Sequence, residues 1–122
     1  MTNQKIVLHL PTPPSVNALY RNVHGRGRAK TREYENWIKR ADDLYLTQKR
    51  TIKPLTGPCE IAIRIPASTF GDVSNRIKAA EDFLVSRGVT GDDKHNRKVS
   101  IERDASLTGV CVVVITPARE AA

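Results

Sequence analysis

Cysteine is scarce in this chain. Cys59 and Cys111 are the only two, each within apolar surroundings. That excludes a disulfide-rich scaffold and points to buried free thiols in a reducing compartment. Neither has a nearby His or Cys partner, so no zinc site is expected. Long hydrophobic runs are missing too. Nothing approaches the roughly 18 apolar residues of a membrane-spanning helix. The run from Ile6 to Leu10 is too short for the core of a signal peptide. A cytoplasmic protein with no membrane partner is therefore expected. His9, His24 and His95 have no spacing that suggests metal ligation. Acidic residues are in the minority, with 13 Asp and Glu against 20 Lys and Arg, a net charge of +7. The sequence pI of about 9.8 favours nucleic acid, an anionic surface or an acidic protein as partner.

What remains reads as one globular domain over residues 1–122. The hydrophobic fraction of 39% and charged fraction of 27% are those of a folded chain rather than a disordered one. The length suffices for a single core. No repeat or linker is visible. Ile6 to Leu10 reads as a strand that stops at Pro11, since Pro11, Pro13 and Pro14 lack the amide donor a sheet interior needs. From there to Lys30, Gly25, Gly27 and the basic residues Arg21, Arg26, Arg28 and Lys30 predict a long, mobile, cationic loop. Thr31 can cap a helix running to about Arg50, with Tyr34, Trp37, Ile38, Ala41, Leu44 and Tyr45 on one apolar stripe. Core packing is the expected role of these aromatics.

Pro54 and Gly57-Pro58 mark a break. Cys59 to Ile65 then alternates as a half-buried strand. A second helix is expected from Gly71–Ser74 to about Arg87, with Ile77, Ala80, Phe83 and Leu84 inward and Gly88 ending it. Lys98 to about Asp104 predicts a third strand, Ser106 to Gly109 a turn, and Val110 to Thr116 a fourth, central strand. The tail after Pro117 is expected to fray. The expected architecture is α/β, with a mixed β-sheet and two main helices in the order β-α-β-α-β-β.

Two acidic clusters stand out in this basic chain: Asp72 to Asp82 around the second helix, and Asp92-Asp93. Asn75, Lys78 and Asp82 are spaced to share one helical face, away from the apolar stripe. The plainer alternatives are definite. Asp72 or Ser74 would serve as a helix cap. Lys78 would form a surface pair with Glu81 or Asp82. Gly91-Asp92-Asp93-Lys94 would be a polar turn. Taken together, carboxylates beside Lys and Arg suggest a divalent cation held against a phosphate backbone, which is the chemistry of a nuclease.

From Ile6 to Thr116 the chain resembles the RusA family of Holliday-junction resolvases. The shared features are a strand followed by Pro13-Pro14-Ser15-Val16-Asn17, a basic Gly/Arg segment, and a helix carrying Tyr34. Next come Asp72-Val73-Ser74-Asn75-Arg76-Ile77-Lys78 and, after a helix, Asp92-Asp93. The resemblance implies a homodimeric, Mg²⁺-dependent endodeoxyribonuclease, with Mn²⁺ as a substitute ion and no small-molecule cofactor. It implies symmetrical nicking of four-way or branched DNA in recombination and repair, in a bacterial or prophage-encoded protein. It assigns catalysis to Asp72, Lys78 and Asp93. Asp72 and Asp93 would ligate metal, with Asp92 or Asp82 as further ligands. Asn17, Arg21, Arg26, Arg28, Lys30, Arg32, Asn75 and Arg76 are the expected DNA contacts. The chain departs from the family at Ser74, where the motif has a second Asp, and a hydroxyl is a poorer Mg²⁺ ligand. Asp82, Asp92 or water would fill that position, or the protein would bind branched DNA without cutting it. A basic RNA-associated module is a third expectation, resting on charge alone.

Overall fold

Alternating apolar and polar side chains build the sheet. The computed structural model describes residues 5–92 and 96–118. Asp93 and His95 lie outside the described residues, as do the chain ends, including the tail from 119 onward. The first strand, β1 (Ile6–Pro11), buries Ile6, Leu8 and Leu10 and leaves Val7 and His9 outward. A short 3-10 turn (Val16–Ala18) leads into β2 (Tyr20–Val23) and β3 (Gly27–Lys30), then helix α1 (Arg32–Gln48). Strand β4 (Cys59–Pro66), helix α2 (Ile77–Ser86), β5 (Asn96–Asp104) and β6 (Val110–Pro117) follow. The chain is a small α/β domain with two main helices.

The main sheet has the order β1-β6-β4-β5. β6 pairs antiparallel with β1 and β4, whereas β4 and β5 run parallel, so the sheet is mixed. A parallel pair needs a crossover, which α2 supplies. β6 is central, as its Val-rich run suggests, and Cys111, Val112, Val113 and Ile115 are buried. The helices cover one face, the side of Ile61, Ile63 and Ile65. On the other face Ala62, Arg64, Ser100 and Glu102 are exposed, as is Val7, at 46%. β1 is an edge strand, and Gln48 closes part of that edge. Its amide accepts from His9 N at 2.8 Å and donates to His9 O at 2.8 Å.

Between sheet and helices the aromatics form a chain. Tyr20 meets Tyr34 edge-on, Tyr34 stacks on Trp37, and both Trp37 and Tyr45 meet Phe83 edge-on. Trp37 Nε1 donates to Pro11 O at 2.9 Å, which satisfies the one polar atom this ring would otherwise bury unpaired. Thr31 caps α1 as expected, accepting from Tyr34 N at 3.1 Å. Gly88, at φ +71°, ends α2 by donating to Val85 O.

The segment 20–30 is a paired β-hairpin, not a mobile loop. Tyr20 faces Lys30 and Val23 faces Gly27 across the ladder. Gly25 and Gly27, at φ +74° and +80°, make the tight reversal between the strands. Its many cations hid the pairing: neither strand buries enough apolar side chains to show an alternating pattern. The element order accordingly carries a hairpin that the expected β-α-β-α-β-β lacks.

Candidate functional site

The site is built outward from the end of β4. After Pro66 the chain turns through residues 67–71. Thr69 holds the turn by donating from both its amide and its Oγ1 to Pro66 O. The Arg103 guanidinium donates to the carbonyls of Ala67, Thr69 and Gly71. Arg76 donates to Phe70 O and to Pro13 O, each at 2.8 Å. The turn delivers Asp72, which opens a 3-10 segment, Val73–Arg76, continuous with α2.

Asp72 stands at the N-cap position of that segment, exposed, and its side chain makes no capping hydrogen bond. The plain explanation for an Asp here was a helix cap, and the carboxylate is not used as one. Ser74 is exposed and Asn75 half-buried on the same turn. At the second residue of α2, Lys78 Nζ lies 3.1 Å from Asp82 Oδ1. This i, i+4 pair on a partly exposed face contributes about 0.3–0.5 kcal/mol to the helix.

Asp82 and Asp92 line a cleft of about 580 Å³ together with Tyr20, Lys30, Tyr34 and Arg87. α2 supplies one wall and the hairpin another. Burial pushes the Tyr34 hydroxyl up to about 12, and the charge of Asp82 and the neighbouring Tyr20 add to this, while Lys78 opposes it. Tyr34 therefore stays a neutral donor at physiological pH, close to both Lys78 and Asp82. The structure brings Lys30, Tyr34, Asp82 and Asp92 together. Asp72 is not among the residues lining that cleft. Asp93 lies outside the described residues. Among the described residues no group of three His, Cys, Asp or Glu gathers as a metal site.

The expected nucleic-acid contacts divide by register. On the hairpin, Tyr20, Asn22, Arg28 and Lys30 share one face, while Arg21 and Ala29 share the other. Arg28 lies over the Tyr20 ring, 4.6 Å from its centroid, as a diagonal cross-strand neighbour. Arg26 is exposed in the turn and Arg32 opens α1, also exposed. Asn17 is exposed in the 3-10 turn, its amide donating to Ser15 Oγ at 3.3 Å. Arg76 is the exception, because its guanidinium is directed at two backbone carbonyls inside the chain.

Arg103, Tyr20 and Phe70 were missed at the sequence level. For Arg103 a signal existed. It follows Val99 and Ile101 in the inward register of β5, where a charge needs an internal partner. For Tyr20 the signal was its place beside a run of cations. No protein-family model matches the chain, and no curated protein matches it either.

Proposed function

We propose that this protein is a Mg²⁺-dependent endonuclease of the RusA kind, nicking branched DNA as a homodimer. The observation that carries the reading is the Asp72 carboxylate. It is exposed, caps nothing, and sits on a braced turn at the head of the helix that bears Lys78. A carboxylate held ready in this way in a chain of net charge +7 serves a cation that itself serves a phosphate.

Carboxylate oxygens suit a hard cation, although among the described residues no three His, Cys, Asp or Glu gather into one site. Mg²⁺ needs only one or two carboxylates when phosphate oxygens and water complete its octahedron. Asp72 would hold it with Asp93, and Asp92 or Asp82 would stand in for the carboxylate replaced by Ser74. Such an ion, when bound, neutralises phosphate charge and acidifies a water. The chain's own residues do the rest. Arg28 and Lys30, on one hairpin face, orient the backbone. Lys78, kept in place by Asp82, offers its ammonium to the charge that develops on a phosphate oxygen. Tyr34, which lines the cleft and is neutral to high pH, would be a hydrogen-bond donor to the substrate. Two symmetrical nicks need two identical sites, which a twofold dimer provides.

The test is cleavage of a labelled four-way junction with Mg²⁺ and with EDTA, beside a linear duplex. Paired nicks that require Mg²⁺ and spare the duplex are expected. Asp72→Asn should remove cleavage and leave junction binding within about twofold. Undiminished cleavage by that variant would rule the site out. Ser74 favours a second reading, a junction-binding protein that does not cut. In that case the native chain binds without nicking, and Ser74→Asp creates activity.

A further inference from the structure

Phe70 is 90% exposed, far more than any other large apolar side chain among the described residues. Single exposed apolar residues are common on protein surfaces. This one differs in how its backbone is held. Arg103 takes the carbonyls of Ala67, Thr69 and Gly71, and Arg76 takes that of Phe70 itself. Gly71, at φ +85°, lets the chain reverse immediately after it. Two guanidinium groups thus pull the carbonyls of one short turn inward and leave the ring directed at solvent. A side chain on so rigid a support loses little conformational freedom when it docks, so contact with a partner is gained at low entropic cost.

Position and charge indicate what docks. Phe70 precedes Asp72 by two residues, a span of at most about 7 Å. Successive nucleotides along one strand rise about 3.4 Å. A ring at Phe70 therefore reaches a base one or two nucleotides from a phosphate presented to Asp72. Within continuous duplex both faces of every base are covered by neighbours. At a branch the stack is broken and a base face becomes available to an aromatic ring.

We propose that Phe70 is a stacking wedge that seats on the open base face at a DNA branch point, beside the phosphate addressed by Asp72. This rests on the nuclease reading above and gives it a source of selectivity: Phe70 distinguishes a branch from a duplex, while the hairpin cations hold either. Phe70 is here a specificity-determining residue.

The experiment places 2-aminopurine, in turn, at each position within two nucleotides of the branch of a four-way junction. Binding in EDTA is then measured for the native chain, Phe70→Ala and Phe70→Trp. Because the ring touches nothing that stabilises the fold, Phe70→Ala should melt with the native chain. The expected result is an emission change at one position with the native chain and with Phe70→Trp, absent with Phe70→Ala. Junction affinity should fall about tenfold to a hundredfold in Phe70→Ala, with duplex affinity nearly unchanged. If the native chain binds the junction tightly and Phe70→Ala matches it in emission and affinity, the wedge is overturned and the nuclease reading stands. A change confined to self-association in sedimentation would make Phe70 a contact between copies and also overturn the wedge. No junction preference in the native chain would remove both readings together.

Discussion

At the scale of single residues, burial is the largest influence on the protonation of Tyr34 and Cys111. Tyr34 is pushed up to about 12 by desolvation first and by Asp82 second. An alkaline ultraviolet titration should show one tyrosine ionising well above the usual value near 10. Asp82→Asn should bring it down only part of the way, because the desolvation remains. A full return to the ordinary value would mean that Asp82, not burial, dominates. The Cys111 thiol is likewise pushed up to about 12 by burial, so this sulfur acts as a small core hydrophobe and not as a nucleophile.

Among the elements, the two helices are tied by one forked contact. Arg87, just past α2, donates from Nε and Nη2 to the two carboxylate oxygens of Asp42 on α1, at 2.5 and 2.6 Å. Its guanidinium also lies over the Phe83 ring. The Arg87 hydrogen bonds hold the Asp42 carboxyl below its usual value of 3.8. A folded-state value below the unfolded one means the contribution is complete above about pH 4. It is lost as pH falls through the folded value. Denaturation of Asp42→Asn and the native chain should therefore differ at pH 7 and converge toward pH 2. A constant difference across that range would show that the contact is not ionic in origin.

The elements also differ in how plainly the sequence announced them. The helices and β4 were legible because each buries a regular stripe, such as Ile61, Ile63 and Ile65 on β4 and Tyr34, Trp37, Ala41 and Tyr45 on α1, and β6 because its apolar run is nearly continuous. The hairpin was not, because Arg21, Arg28 and Lys30 stand where a strand usually shows its apolar alternation. The motif residues Asp72, Lys78 and Asp82 could be picked out by type and spacing. The Lys78–Asp82 pair followed from its i, i+4 spacing, but the bracing of the turn did not, since it depends on Arg103, which is distant in sequence. Arg76 shows the same limit. As a cation beside the motif it resembled a phosphate contact, yet two carbonyls inside the chain occupy it.

For the whole molecule, the proposed function makes the net charge of +7 the driver of encounter with DNA. Junction binding should weaken steeply as salt rises from about 50 to 200 mM. Replacing Arg28 and Lys30 together by Ala should reduce the slope of log K against log salt by about two, one for each phosphate contact removed. An unchanged slope would move the backbone contacts elsewhere, to Arg21 or Arg32 first.

The strand order carries a consequence in time. β6 lies between β1 and β4 and is the only described strand hydrogen-bonded to β1. The Cys111 Sγ contact with Pro11 O already spans 100 residues of chain. On the ribosome, Leu8 and Leu10 thus wait until β6, about 100 residues further along the chain, completes their layer. α1 and Gln48 can shield β1 meanwhile, but the sheet closes only when its keystone strand emerges. A nascent chain arrested before Val110 has left the exit tunnel should remain open to protease at β1 and β4, and become resistant once β6 is free.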